Sequence, residues 1–103
     1  MAYTGRVRVI WDAVKDYENR RKHGIAFSEA EELFRSGADY LEIFDEANSE
    51  FEDRFIAIGP IARGPVLVEW TEREDDVFRI ISARWTTRRE QTLCHAYMEH
   101  QHE

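Results

Sequence analysis

The sequence predicts an α+β domain in which helices pack on an antiparallel sheet. Three observations carry that prediction. Five short segments show apolar residues at strand-like spacing, three others show helical spacing next to capping residues and glycines, and the last four strand segments are joined by connections too short for a helical crossover. With 103 residues, 43% hydrophobic and 13% aromatic, the chain is sized for one domain over residues 1–103 and has enough apolar surface to offset its conformational entropy.

Taken in order, RVRVIW (6 to 11) alternates Arg with Val or Ile, the pattern of a strand with one solvated face. Asp12 can cap a helix running to Lys22, and Gly24 supplies a left-handed stop. In FSEAEELFRSG, Ser28 and Glu31 have capping-box spacing, Phe27, Ala30 and Phe34 share a helical face, and Gly37 ends the second helix. DYLEIFD (39 to 45), EDRFIAIG (52 to 59), PVLVEWTE (65 to 72) and VFRIISA (77 to 83) read as four strands of a meander linked by EANSEF, PIARG and REDD. Thr87 and Glu90 repeat the capping-box spacing, and Leu93, Ala96, Tyr97 and His100 form the apolar stripe of a terminal helix. Trp11, Trp70, Phe78, Ile80 and Ile81 read as core.

No run of about 18 apolar residues is present to span a membrane, and the opening MAYTGRVRVIW lacks an apolar signal core, so a cytoplasmic location is expected. The single Cys94 cannot form an internal disulfide. A formal net charge of −7 conceals segregation: residues 1 to 24 carry six basic and three acidic side chains, whereas residues 25 to 53 carry one and ten. A basic face can therefore sit on an acidic protein. The acidic stretch reads either as a solvated face or as a seat for a basic partner segment.

Four arginines, Arg79, Arg84, Arg88 and Arg89, fall in FRIISARWTTRRE. Strict alternation puts Arg79 and Arg84 on opposite faces of a strand, so they converge only if a bulge intervenes or Arg84 has left the strand. Arg88 and Arg89 in a first helical turn oppose the helix dipole, which a bound anion would relieve. Guanidinium forks suit phosphate.

The blocks WDAVKDYENRRKHGIAFSEAEELF, EDRFIAIG and TEREDDVFRIISARWTTRRE resemble the BrnT family of type II toxin–antitoxin toxins, from about Val9 to Leu93. The resemblance implies a RelE-like fold and a small ribonuclease that arrests translation by cutting RNA. It further implies neutralisation by a BrnA-type antitoxin, a ribbon-helix-helix protein that supplies the DNA contacts, in a two-to-two heterotetramer. Departures are Asn48, where family members often carry His, Cys94, where many have Tyr, and REDD, one residue longer than the family's usual turn.

Metal-free RNA cleavage by the 2′-hydroxyl needs a base, cationic donors for the phosphorane and an acid for the departing 5′-oxygen. His95, His100 and His102 lack a firm ligand spacing and one Cys cannot make a zinc site, so no metal or cofactor is expected. His23, beside Lys22, is the first candidate for the proton; a helix-terminal role on backbone carbonyls is the alternative. Glu52 is the second candidate base, with Arg54 to orient it, unless the two form a surface ion pair. Arg79 and Arg84 are the candidate phosphate ligands, Arg88 and Arg89 flanking RNA contacts, and Trp85 a platform for an unpaired base or an antitoxin contact; the alternative reading is a module that uses the same basic surface to bind RNA or antitoxin without turnover.

Overall fold

The computed structural model describes residues 7–35 and 39–101. Strand β1 (Arg8–Ile10) leads into helix α1 (Ala13–His23), then two single-turn helices, α2 (Phe27–Ala30) and α3 (Glu32–Arg35). Strands β2 (Leu41–Phe44), β3 (Phe55–Ile61), β4 (Gly64–Glu74) and β5 (Val77–Trp85) follow, and α4 (Arg88–Gln101) closes the order. The sheet order is β1-β5-β4-β3-β2, with β2 to β5 antiparallel to their neighbours and β1 parallel to β5.

The inner face of the sheet is apolar because alternate positions of β3, β4 and β5 supply Ala57, Val66, Val68, Trp70, Phe78, Ile80 and Ala83, all buried. Ile25, Phe27, Ala30, Leu33 and Phe34 cover them. Phe55, Trp70 and Phe78 stack across three strands at centroid distances of 4.8 and 4.0 Å, with Phe34 edge-on to Trp70 and Phe78. Each fully buried ring of this kind is worth about 1.5–3 kcal/mol in removed apolar surface. Gly59 lets α3 approach: a Cβ there would lie 2.7 Å from Leu33 Cδ1.

Asp12 caps α1 as expected, accepting the Val14 N–H, and Gly24 at φ 72° ends it one residue later than predicted. The second helix departs from expectation. Asp16 accepts the Phe27 N–H at 2.8 Å and Glu29 the Ala26 N–H at 3.3 Å, so the first-turn donors are satisfied before Ser28 can act as a cap. The helix is also broken at Glu31, and its expected stop, Gly37, lies outside the described residues. Thr87 and Glu90 do form a reciprocal capping box. The predicted stripe of α4 is displaced: Leu93 is exposed, and Gln91, Cys94 and Met98 face Ile58, Pro60 and Pro65 on the outer sheet face. Ile81, predicted core, is only half-buried because it is the extra residue of a bulge.

Candidate functional site on the outer sheet face

That bulge decides where the arginines point. Register runs Glu69 opposite Ser82 and Trp70 opposite Ile80, so Ile81 has no partner and the alternation of β5 slips by one. Phe78, Ile80 and Ala83 therefore all face inward, and Arg79 and Arg84 both face outward. A second bulge leaves Arg73 unpaired between Glu72 and Glu74, within the expected REDD turn, which narrows to Asp75 and Asp76 with Asp76 at φ 63°.

The edge of β5 beyond β1 is finished by a side chain. Asn19, buried in an otherwise polar helix, donates to the carbonyls of Ala83 and Ile25 at 2.8 and 2.9 Å and accepts the Ala83 N–H at 3.0 Å. It replaces a strand's hydrogen bonds and fixes α1 beside the outer face. Sequence reading assigned Asn19 no role, although a lone Asn in the helix pattern was its signal.

At the end of the face near β3, Glu52 is the hub. Its carboxylate lies 2.9 Å from Arg79 Nη2, 3.7 Å from Arg54 and 3.9 Å from Arg73. Glu52 lies in a bend and Arg54 directly precedes β3, both outside the strand although predicted within it. Arg54 also lies 3.8 Å from Glu69. The Nε–H groups of Arg54 and Arg79 are buried without a hydrogen-bond partner among the described residues. Burial raises the Glu69 pKa, opposed by Arg54 and reinforced by a hydrogen bond with Asp45; the more distant Lys15 also favours the charged form. Sequence reading gives Arg73 a place in the family-like TER segment but no role, and Glu69 no signal beyond being the one charged residue inside VLVEWT.

At the other end, Arg84 donates through both terminal nitrogens to Glu90 at 2.8 and 2.7 Å. That bidentate bond is the largest cause holding the Glu90 carboxyl down at about 2. His23, the last residue of α1, is half-buried, and its pKa is lowered first by burial and then by the charges of Lys22 and Arg84. Its imidazole is therefore neutral at neutral pH and can accept a proton. Lys22 is exposed beside it.

The structure thus joins Glu52, Arg54 and Arg79 by direct contact, and His23, Lys22 and Arg84 through their fields. Arg88 and Arg89 are exposed in the first turn of α4. Trp85 is placed elsewhere: it packs against the inner core, with Gly64 3.5 Å from its ring by an added Cβ and the Arg63 guanidinium 5.2 Å above it. Asn48 donates to Asp45 at 2.8 Å, and Cys94 lies 3.4 Å from the Ile58 carbonyl with its thiol pKa raised by burial. Among the described residues, no three His, Cys, Asp or Glu side chains gather to hold a metal ion, and no helix is long and apolar enough to cross a membrane.

Comparison with known proteins adds to this geometry. No curated protein matches the chain. The fold is similar to the crystal structure of the Brucella abortus ribonuclease toxin BrnT, with a TM-score of 0.62 at 22% identity over 80% of this chain and 99% of that one. Residues 11–90 match the family described as "Ribonuclease toxin, BrnT, of type II toxin-antitoxin system". On a match over most of its length, the chain belongs to the BrnT family of ribonuclease toxins of type II toxin–antitoxin systems.

Proposed function

We propose that the outer sheet face is the active site of a metal-independent endoribonuclease of RelE-like architecture, in which the RNA's own 2′-hydroxyl attacks the adjacent phosphate. The observation that carries this reading is the bulge at Ile81, which turns Arg79 and Arg84 to one face alongside Arg54. The 2′-oxygen–phosphorus bond forms as the phosphorus–5′-oxygen bond breaks; one proton leaves the 2′-hydroxyl and one reaches the 5′-oxygen. Arg79, Arg54 and Arg84 supply charge where the phosphorane becomes more negative, the first two through the terminal nitrogens they turn toward Glu52. His23, neutral and flanked by cations, carries the proton; Glu52 is the second candidate and also orients Arg79 and Arg54. Lys22, Arg88 and Arg89 hold flanking phosphates. Trp85, on the inner face, serves packing in this reading. Cleavage arrests translation in the cytoplasm.

The neutralising partner is a BrnA-type antitoxin that carries the DNA contacts, assembled with the toxin two to two. Antitoxin-free toxin incubated with single-stranded RNA in a chelator should leave 2′,3′-cyclic phosphate and 5′-hydroxyl ends. Intact RNA, or 5′-phosphate ends, would sink this mechanism.

A further inference from the structure

Strand β2 is the outermost strand of the sheet, paired to β3 on one side and to no described strand on the other. It runs into a loop that ends at Glu52 and Arg54. Along this margin large apolar side chains stand in water: Phe51 is 94% exposed, Phe44 49% and Ile43 37%. Ile43 and Phe44, adjacent in an extended strand, project from opposite faces, so a cover for both must wrap the edge rather than lie on one face.

The charge of the margin is of one sign. From Glu42 to Asp53 there are six carboxylates and no Lys or Arg. A hollow of about 330 Å³ lined by Ala47, Asn48, Glu50, Phe51, Glu52 and Arg54 joins the margin to the arginine face, since Glu52 and Arg54 belong to both.

These properties eliminate most occupants. RNA and an anionic lipid surface carry the wrong sign for six carboxylates. A second copy of this chain meeting edge to edge about a two-fold axis would oppose the same carboxylates to themselves. What remains is a basic protein segment, and a type II toxin has a protein partner in its antitoxin. We infer that the antitoxin docks along the β2 margin through an extended, Lys- or Arg-rich segment whose apolar side chains cover Phe51, Phe44 and Ile43. A segment seated there passes over Glu52 and Arg54; that it thereby bars RNA rests on the function proposed above.

The test uses full-length toxin, its cognate antitoxin, and a single-stranded RNA as separate probes. Phe51→Ser should weaken antitoxin affinity about 30-fold or more, as loss of a central aromatic anchor does. Glu46→Lys combined with Glu50→Lys should slow antitoxin association about tenfold at low salt and flatten its salt dependence. RNA cleavage by the free variants should match that of the parent, because none of these residues belongs to the arginine face. Phe51 is so exposed that its replacement removes no packing, and the charge variant offers a second route should Phe51→Ser melt early. Antitoxin affinity within about threefold of the parent in both variants overturns the inference. So does altered RNA cleavage with unaltered antitoxin binding, which assigns the margin to RNA, and so does a parent dimer that Phe51→Ser dissolves. A parent that cleaves no RNA defeats the proposed activity but leaves the affinity measurements to decide the docking site.

Discussion

The two ends of the outer face use arginine in opposite ways. Arg84 is bound bidentately: one carboxylate, Glu90, takes both of its terminal nitrogens and also closes the capping box of α4, so the pair clasps β5 to α4. At the other end Arg54, Arg73 and Arg79 gather around Glu52, with Glu69 a second partner of Arg54, and two buried Nε–H groups remain unmatched. A guanidinium bound bidentately by an internal carboxylate is held in place by structure and offers a phosphate its charge more than free donors. Three that share two carboxylates leave positive charge for an incoming anion. The difference ranks the arginines that composition alone treats as equals.

The largest effect should separate the ends. Arg79→Ala should reduce single-turnover RNA cleavage by on the order of 100-fold to 1000-fold, as loss of one transition-state donor does, with little change in melting temperature. Arg84→Ala should lower cleavage and melting temperature together, because it leaves Glu90 without its partner at the start of α4. If Arg79→Ala, shown folded, cleaves at nearly the parent rate, the undermatched end is not the phosphate site and the ranking collapses.

The fold was largely legible because its signals are local. The alternation in β3, β4 and β5, the Asp12 and Thr87 caps and the Gly24 stop each express a conformational preference of the residues involved. The convergence of Arg79 and Arg84 was not legible, since a bulge is set by cross-strand register and the sequence only made it a condition. The hub at Glu52 was half legible. Glu52 and Arg54 stood out in EDRF, but Arg73 and Glu69 reach them only through pairing with distant strands. For the same reason much of the recognisable WD to EA block proves architectural: Asp12 caps, Asn19 stitches, Gly24 terminates, Phe27 and Ala30 fill the core. Lys15, Lys22 and His23 are the residues of that block directed toward the arginine face by position or field.

A smaller effect sharpens the Arg84 end. His23→Ala should cost on the order of 100-fold in rate if the imidazole moves the proton, at the low end for general acid–base catalysis. The pH profile is the decisive readout. Because burial, Lys22 and Arg84 lower the His23 pKa, the acid limb of the rate should lie below the ordinary imidazole value of about 6.5. Lys22→Gln removes one of the cations and should shift that limb to higher pH. An acid limb that survives in His23→Ala would transfer the proton to a carboxyl, with Glu52 next in line.

The smallest effect tests whether the Arg84 end is a clasp at all. Glu90 is held at about 2, against 4.5 in an unfolded chain, first by its hydrogen bonds to Arg84 and then, against the opposing cost of burial, by the Thr87 N–H. A depressed carboxyl stabilises the fold fully above its unfolded value and loses that contribution as pH falls through the folded one. Glu90→Gln should therefore lower stability at neutral pH by on the order of 1 kcal/mol, the worth of a helix cap, read as a fall of several degrees in melting temperature. The gap between parent and variant should narrow from pH 4.5 toward pH 2, where the parent's own carboxyl takes up a proton. RNA cleavage near neutral pH should change far less than in Arg79→Ala. A gap that stays constant down to pH 2 would mean that the carboxylate charge is not what holds α4 to β5. Arg84 would then be as available to a phosphate as Arg79, and the contrast between the two ends would fail.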